Sequence, residues 1–241
     1  MTPPAPPRRP PPVKASGREL LGDGESLAVA RFRRRLLGGL DLPEGRGRRA
    51  LDVGCGDGLE AVELLGRGWD VDAVDLDSHP RWKAIQARYG RRIRFRTASD
   101  ADLARWRGSY DLVFQKDVLH HVPDPARLLR SLARLAAPGG ELWLLECNRR
   151  NPVSYVHLTL LGGHQHFTAG RLQALVREAG MDGARAWARE ARVWPVESAA
   201  LQDAVDRAQD WLEALPFWRP LAVYNLVRWR KPARGKKGSP A

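Results

Sequence analysis

Residues 50–58 read Ala50-Leu51-Asp52-Val53-Gly54-Cys55-Gly56-Asp57-Gly58. A short apolar run ending at Val53 predicts a buried strand. It delivers the chain into Gly54-x-Gly56-x-Gly58, where glycines permit a tight turn and let a ligand approach the backbone. A helical pattern over 59–66, closed by Gly66, follows at once. Strand, glycine loop and helix in that order open an α/β sheet, whose ligands bind beyond the carboxyl ends of the strands.

On either side of this stretch the alternation continues. Apolar runs predict further strands over 71–74, 93–96, 110–114 and 141–146. Helical patterns at 80–89 and 125–135 lie between them, with Pro125 at a favourable first-turn position and Asp77 as the expected cap before Pro80. Pro138-Gly139-Gly140 forms the turn into the fifth strand. Short strands joined by helical crossovers make a doubly wound, mostly parallel sheet with helices on both faces. A basic amphipathic helix over 25–40 precedes this series. After strand five come a helix over 168–178 ending at Gly180, a strand near 184–188, a helical addition over about 198–214 and an apolar run over 221–229 that closes the sheet.

The second strand ends in Val74-Asp75-Leu76-Asp77, which puts Asp75 17 residues after Gly58. A carboxylate at that strand tip accepts hydrogen bonds from vicinal ribose hydroxyls, so the pair of motifs suits an adenosine-containing cofactor. The loop spacing discriminates further. Dinucleotide sites use G-x-G-x-x-G and lay a pyrophosphate on the helix N-terminus. Here the spacing is G-x-G-x-G, with Asp52 before the loop and Asp57 inside it. Two carboxylates repel a pyrophosphate and attract a cation.

The ordered series Leu51 to Gly58, Val74-Asp75-Leu76, Ser99-Asp100-Ala101, Tyr110-Asp111-Leu112-Val113, Val118-Leu119-His120-His121-Val122-Pro123-Asp124-Pro125 and Ala137-Pro138-Gly139-Gly140-Glu141-Leu142 resembles the class I S-adenosylmethionine-dependent methyltransferases. The resemblance spans roughly residues 25–229. It implies a Rossmann-like doubly wound sheet with an antiparallel C-terminal strand, and S-adenosyl-L-methionine as cofactor, leaving as S-adenosyl-L-homocysteine. It implies that Gly54, Cys55, Gly56 and Gly58 line the methionine and ribose, that Asp52 supports the loop and the methionine amino group, and that Asp75 binds the ribose with Leu76 against the adenine. Asp100 with Ala101 would meet the adenine amino group, Asp102 being the alternative. Gln115 would face the methionine end.

Methyl transfer to a hydroxyl or acidic carbon also needs a proton acceptor, a task suited to histidine. His120 and His121 follow strand four, where the family's acceptor pocket opens. His164 and His166 sit in the polar, glycine-hinged segment 148–167, which reads as a lid over substrate. These four are the catalytic candidates; buttressing of the strand by the His-His pair is the competing reading. Lys116-Asp117 is either a surface ion pair or an acceptor contact. His79 is expected to cap a helix or lie on the surface.

The remaining features bound partners and location. Seven prolines in the first twelve residues make 1–16 a disordered arm, 17–231 the methyltransferase domain and 232–241 a disordered basic tail. The net charge is +12, but 34 of the 40 basic residues are arginines scattered along the chain. That distribution fits a solvated basic surface. The family's Asn/Asp-Pro-Pro-aromatic stretch for flipped bases is replaced by Gln115-Lys116-Asp117-Val118. Nucleic acid is therefore not expected, and the acceptor is expected to be a small molecule or lipid-like. The alternatives are an RNA or protein methyltransferase, or a fold that binds the cofactor without transferring methyl. Cys55 and Cys147 have no metal-spaced partners, so neither a metal site nor a disulfide is expected. No run reaches the length of a membrane span and no signal-like apolar core begins the chain, so a cytoplasmic location is expected.

Overall fold

The computed structural model describes residues 27–161, 166–189 and 198–233. The arm 1–16, His164 and residues 234–241 of the tail lie outside them. The elements run α1 Leu27–Gly38, β1 Arg49–Val53, α2 Leu59–Gly66, β2 Asp70–Asp75, α3 Arg81–Tyr89, β3 Ile93–Thr97, α4 Asp100–Arg105, β4 Tyr110–Lys116, α5 Pro125–Leu135 and β5 Ala136–Cys147. Then follow a single helical turn, α6 Pro152–Ser154, running into a π-helix Tyr155–Leu161, α7 Ala169–Glu178, β6 Arg185–Arg189, α8 Ala199–Glu213 and β7 Tyr224–Arg230.

The strands form one seven-stranded sheet in the order β3-β2-β1-β4-β5-β7-β6. β1 pairs in parallel with β2 and β4, and β5 continues the parallel set beside β4. β7 inserts antiparallel between β5 and β6, with Leu144 opposite Val227 and Leu226 opposite Trp187. This is the mostly parallel, doubly wound sheet with an antiparallel closing strand that the sequence predicts. The order reverses between β1 and β4, and that switch point sets the ligand crevice.

Each face of the sheet has its own apolar layer. On one side Leu36 and Leu37 of α1, Ala61, Val62 and Leu65 of α2, and Trp82 and Ile85 of α3 pack on Ala50, Val71 and Phe114. On the other, Leu128, Leu129 and Leu132 of α5 and Leu172 and Val176 of α7 cover Leu51, Val113 and Leu142. In α5 the leucines follow helical periodicity while Arg127 and Arg130 face solvent, so one stripe is buried. Each fully buried leucine contributes about 1.5–3 kcal/mol.

Two local expectations are corrected. β5 begins at Ala136, because Tyr110 pairs with Ala136 and the register shift before Leu112 absorbs the Pro-Gly-Gly turn into the strand. Asp77 does not cap α3. The cap position is Pro80, and His79 Nδ1 accepts the Arg81 N–H at 3.2 Å. Asp77 lines the ligand cavity instead.

Candidate active site

A cavity of about 780 Å³ lies over the carboxyl ends of β1, β2 and β4. Its floor is the glycine loop. The Gly54 and Cys55 amides donate to Val74 O, and Gly58 N donates to Cys55 O, closing the turn. Gly54 has φ +72° and a Cβ there would collide with Val118; Gly58 has φ +87° and a Cβ would press on Phe95 and Ile85. Both positions therefore require glycine. Trp82, stacked on Phe95 at 5.1 Å, donates its indole N–H to Gly56 O at 2.8 Å and pins the loop from α3.

Acidic groups converge on this cavity, and most are already countered. Asp75 accepts the Gly56 and Leu76 amides, both at 2.7 Å, so the strand tip holds the loop open with its own carboxylate. Asp57 accepts the Leu59 amide and pairs with Arg81 at 2.8 Å and with Arg33 at 3.7 Å. Glu60 lies between Arg33 of α1 and Lys116 of β4, each at 3.3 Å. Burial opposes charge on Glu60, yet these two cations hold its carboxyl below the ordinary range. Burial likewise works against the Lys116 ammonium, but Glu60 and Asp117 raise its pKa further still.

Asp52 is the exception. It is 1% exposed, lines the cavity, and its Oδ2 has no hydrogen-bond partner among the described residues. Burial first, then the neighbouring carboxylates of Glu60, Asp75 and Asp57, push its pKa well up, with Lys116 pulling the other way. An orphaned buried carboxylate oxygen costs free energy until a cation meets it. A ligand carrying an ammonium or sulfonium fits that requirement, and an anionic one does not.

The far wall is built by the β4 end. Asp117 adopts φ +55°, a left-handed conformation whose cost is about 1–3 kcal/mol in a non-glycine residue. The turn aims its carboxylate inward, where Oδ2 accepts from Tyr224 Oη at 2.8 Å and pairs with Lys116 at 3.3 Å. Against the buried setting, Lys116, Tyr224 and Cys147 keep the Asp117 carboxyl low. Behind it sits Glu146, fully buried at the end of β5 and bonded to His120 Nδ1 at 2.8 Å. The His120 ring lies 4.1 Å from that of His121 and 4.4 Å from that of His166.

Of the residues predicted from sequence, Asp52, Gly54, Cys55, Gly56, Asp75, Leu76, Asp100 and His121 line the cavity. Gly58 acts beneath it, through the turn. Asp102 forms a capping box with Ser99 and an ion pair with Arg105, which leaves Asp100 as the carboxylate facing in. Ala101 does not line the cavity. Gln115 does not face it either: its side chain is buried and its amide donates to Glu146 at 2.8 Å. Residues along a strand alternate faces, so Lys116 and Gln115 point opposite ways, and Lys116 takes the cavity position. His120 and His166 meet across 46 residues of sequence, while His164 lies outside the described residues.

Sequence reasoning missed Arg33, Glu60, Glu146 and Tyr224. Glu146 carried one signal, a charge directly after the apolar run Leu142–Leu145. Donor atoms of Asp117, His120 and Glu146 gather within 4.8 Å, where no ligand set was expected. Glu146 is nevertheless occupied, since its Oε1 accepts three N–H groups and its Oε2 meets His120.

The chain is similar to known proteins in sequence and in fold. A family model described as a methyltransferase domain matches residues 25–200. The ubiquinone biosynthesis O-methyltransferase of Alkalilimnicola ehrlichii is 36% identical over 168 residues, covering 64% of this chain and 62% of that protein. Its namesake from Dechloromonas aromatica is 38% identical over 113 residues, covering 46% and 48%. The chain thus spans about half the length of the curated relatives it matches. Among solved structures, a Haemonchus contortus phosphoethanolamine N-methyltransferase in complex with S-adenosyl-L-methionine superposes with TM-score 0.60 at 14% identity, covering 84% of this chain and 52% of that one. The Burkholderia thailandensis 1,6-didemethyltoxoflavin N1-methyltransferase with bound S-adenosylhomocysteine does so with TM-score 0.54 at 22% identity, covering 90% and 82%. These two carry the fold. Taken with the family match over most of its length, they make this chain a member of the class I S-adenosylmethionine-dependent methyltransferases.

Proposed function

We propose that the chain transfers a methyl group from S-adenosylmethionine to a hydroxyl of a small, lipid-like acceptor. The observation that carries the reading is the orphaned Asp52 carboxylate in a glycine-floored, acidic cavity that continues to a wall of Asp117 and His121. When bound, the cofactor supplies an electrophilic methyl on a sulfonium. Asp52 takes the methionine ammonium, and Arg33 offers a guanidinium to its carboxylate. Asp75 accepts from the ribose hydroxyls while the Gly54–Gly58 backbone cradles the chain between them. Leu76, 68% exposed at the cavity rim, gives apolar surface to the adenine, and Asp100 accepts from its amino group. Aligning donor and acceptor in a closed site supplies most of the acceleration. A histidine base takes the acceptor's proton.

Two observations support a lipid-like acceptor. The relatives named above act in ubiquinone biosynthesis by name, and the segment after β5 together with α8 and the turn after it exposes Val156, Leu160, Trp211 and Phe217. The segment 148–167 serves as the lid. Among the described residues no helix is long and apolar enough to cross a membrane. A cytoplasmic location, in which the unpaired Cys55 and Cys147 stay reduced, completes the reading. The test is incubation with methyl-labelled cofactor and a panel of phenols and catechols with and without isoprenoid chains. One added methyl on a hydroxyl, with preference for the alkylated members, is the expected product. If methyl transfer instead goes to RNA or protein, or to no acceptor while the cofactor binds, the reading fails.

A further inference from the structure

Glu146 occupies an unusual place for a carboxylate. It sits at the inner end of β5, fully buried, with no lysine or arginine paired to it among the described residues. Its Oε1 accepts from Gln115 Nε2 at 2.8 Å, Val118 N at 3.0 Å and Leu119 N at 2.7 Å. Three convergent N–H groups on one oxygen stabilise the ionised form. Oε2 meets His120 Nδ1 at 2.8 Å. A carboxylate only accepts, so the proton between them sits on Nδ1, and Nε2 becomes the basic nitrogen of the ring. A neutral amide at 146 could still accept these N–H groups, but it would not present a charge to the His120 ring.

The surroundings tie the pair to the site. The His120 side chain is 5% exposed and its ring lies against those of His121, which lines the cavity, and of His166, itself buried. Asp117, held in its left-handed turn, brings its carboxylate to the same cluster from the cavity side. We infer that Glu146 is the positioning residue for a histidine base, fixing the His120 ring so that Nε2 takes the proton lost by the acceptor hydroxyl.

This rests on the reading of the site as a hydroxyl methyltransferase. In the step, the acceptor O–H bond breaks and its proton passes to Nε2. The oxygen's electron pair forms the O–CH₃ bond, and the electron pair of the broken S–CH₃ bond stays on sulfur. The new imidazolium faces Glu146, so the buried carboxylate gains its countercharge at the moment the proton arrives. Burial and the nearby Asp117 carboxylate hold the Glu146 carboxyl above its ordinary range, and the His120 contact pulls against that shift. The proton leaves to solvent with the product.

Glu146→Gln and His120→Ala test the assignment in the full chain. In wild type, ¹⁵N-histidine NMR is expected to show the His120 proton on Nδ1; this measurement needs no variant and stands even if one fails to fold. In Glu146→Gln, S-adenosylmethionine affinity by calorimetry stays within about threefold, acceptor KM changes little, and kcat falls about 100-fold or more, the usual share of a positioned base. His120→Ala falls similarly, added imidazole restores part of the rate, and the double variant loses no more than either single one. A wild-type proton on Nε2, or an undiminished kcat in Glu146→Gln, overturns the proposal. So does activity abolished by chelator and restored by a divalent cation, which would make Asp117, His120 and Glu146 a metal site. Absence of methylation by wild type with every acceptor refutes the hydroxyl reading separately, since the tautomer is read without substrate.

Discussion

Replacing Asp52 by asparagine separates cofactor binding from stability. The side chain keeps its size and loses its charge at a position 1% exposed, where one oxygen lacks a partner among the described residues. In the proposed binding mode that oxygen meets an ammonium; a charge-assisted hydrogen bond of this kind contributes about 1.5–3 kcal/mol. At about 1.4 kcal/mol per tenfold, the S-adenosylmethionine Kd rises by roughly 10- to 150-fold in the variant. Without cofactor the sign reverses. The folded-state pKa of Asp52 is raised, so the folded protein holds its proton at pH values where the unfolded chain, with a pKa of about 3.9, has released it. Wild-type stability therefore declines as pH rises from about 4 toward the raised value, by up to about 1.4 kcal/mol per pH unit from this group. The Asp52→Asn substitution removes that decline, so the ligand-free variant melts higher than wild type at neutral and alkaline pH and the two converge in acid. Calorimetric titration and thermal melts across pH read both effects. Equal cofactor affinity in the two proteins would refute the assignment of Asp52 to the ammonium, and a parallel pH dependence of the melts would refute the electrostatic account.

Asp75→Ala removes a carboxylate that both accepts two loop amides and faces the cavity, and is expected to weaken cofactor binding by about 1.5–3 kcal/mol in the same calorimetric assay. Gly54→Ala drives a methyl into Val118 from a left-handed φ; cofactor binding should fall below detection and the melting temperature should drop. Tyr224→Phe strips one hydrogen bond from the half-buried Asp117 carboxylate and should cost about 1–3 kcal/mol in denaturant unfolding. By contrast, Asp210→Asn, which breaks the ion pair with Arg35 between α1 and α8, should change unfolding free energy by less than about 1 kcal/mol, because Asp210 is largely exposed and screened.

The sheet and most of the residues that line the cavity around the glycine loop were legible in the residues alone. Strand periodicity, the glycine spacing and Asp75 at the second strand tip are local patterns, set by steric limits on backbone and by alternation of faces, and they act over fewer than about 30 residues. The crossover helices then follow in order, and with them the parallel arrangement. The acceptor side was legible only in part. His120 and His121 stood out by residue type, but the carboxylate that His120 meets lies 26 residues on, at the end of β5, and His166 joins them beside Phe167, which bridges to Asn148. The Gln115 assignment failed for a related reason: adjacent residues at the end of β4 face opposite ways, and which one meets the cavity depends on the neighbouring strand. Arg33 of α1 lines the cavity, where it pairs with Glu60 of α2, a placement that no motif encodes. Which carboxylates are countered, and that Asp52 is the buried one with an oxygen lacking a partner among the described residues, emerged only with the folded chain. Ion pairing depends on distances between side chains from different elements, and those distances exist only once the sheet has closed.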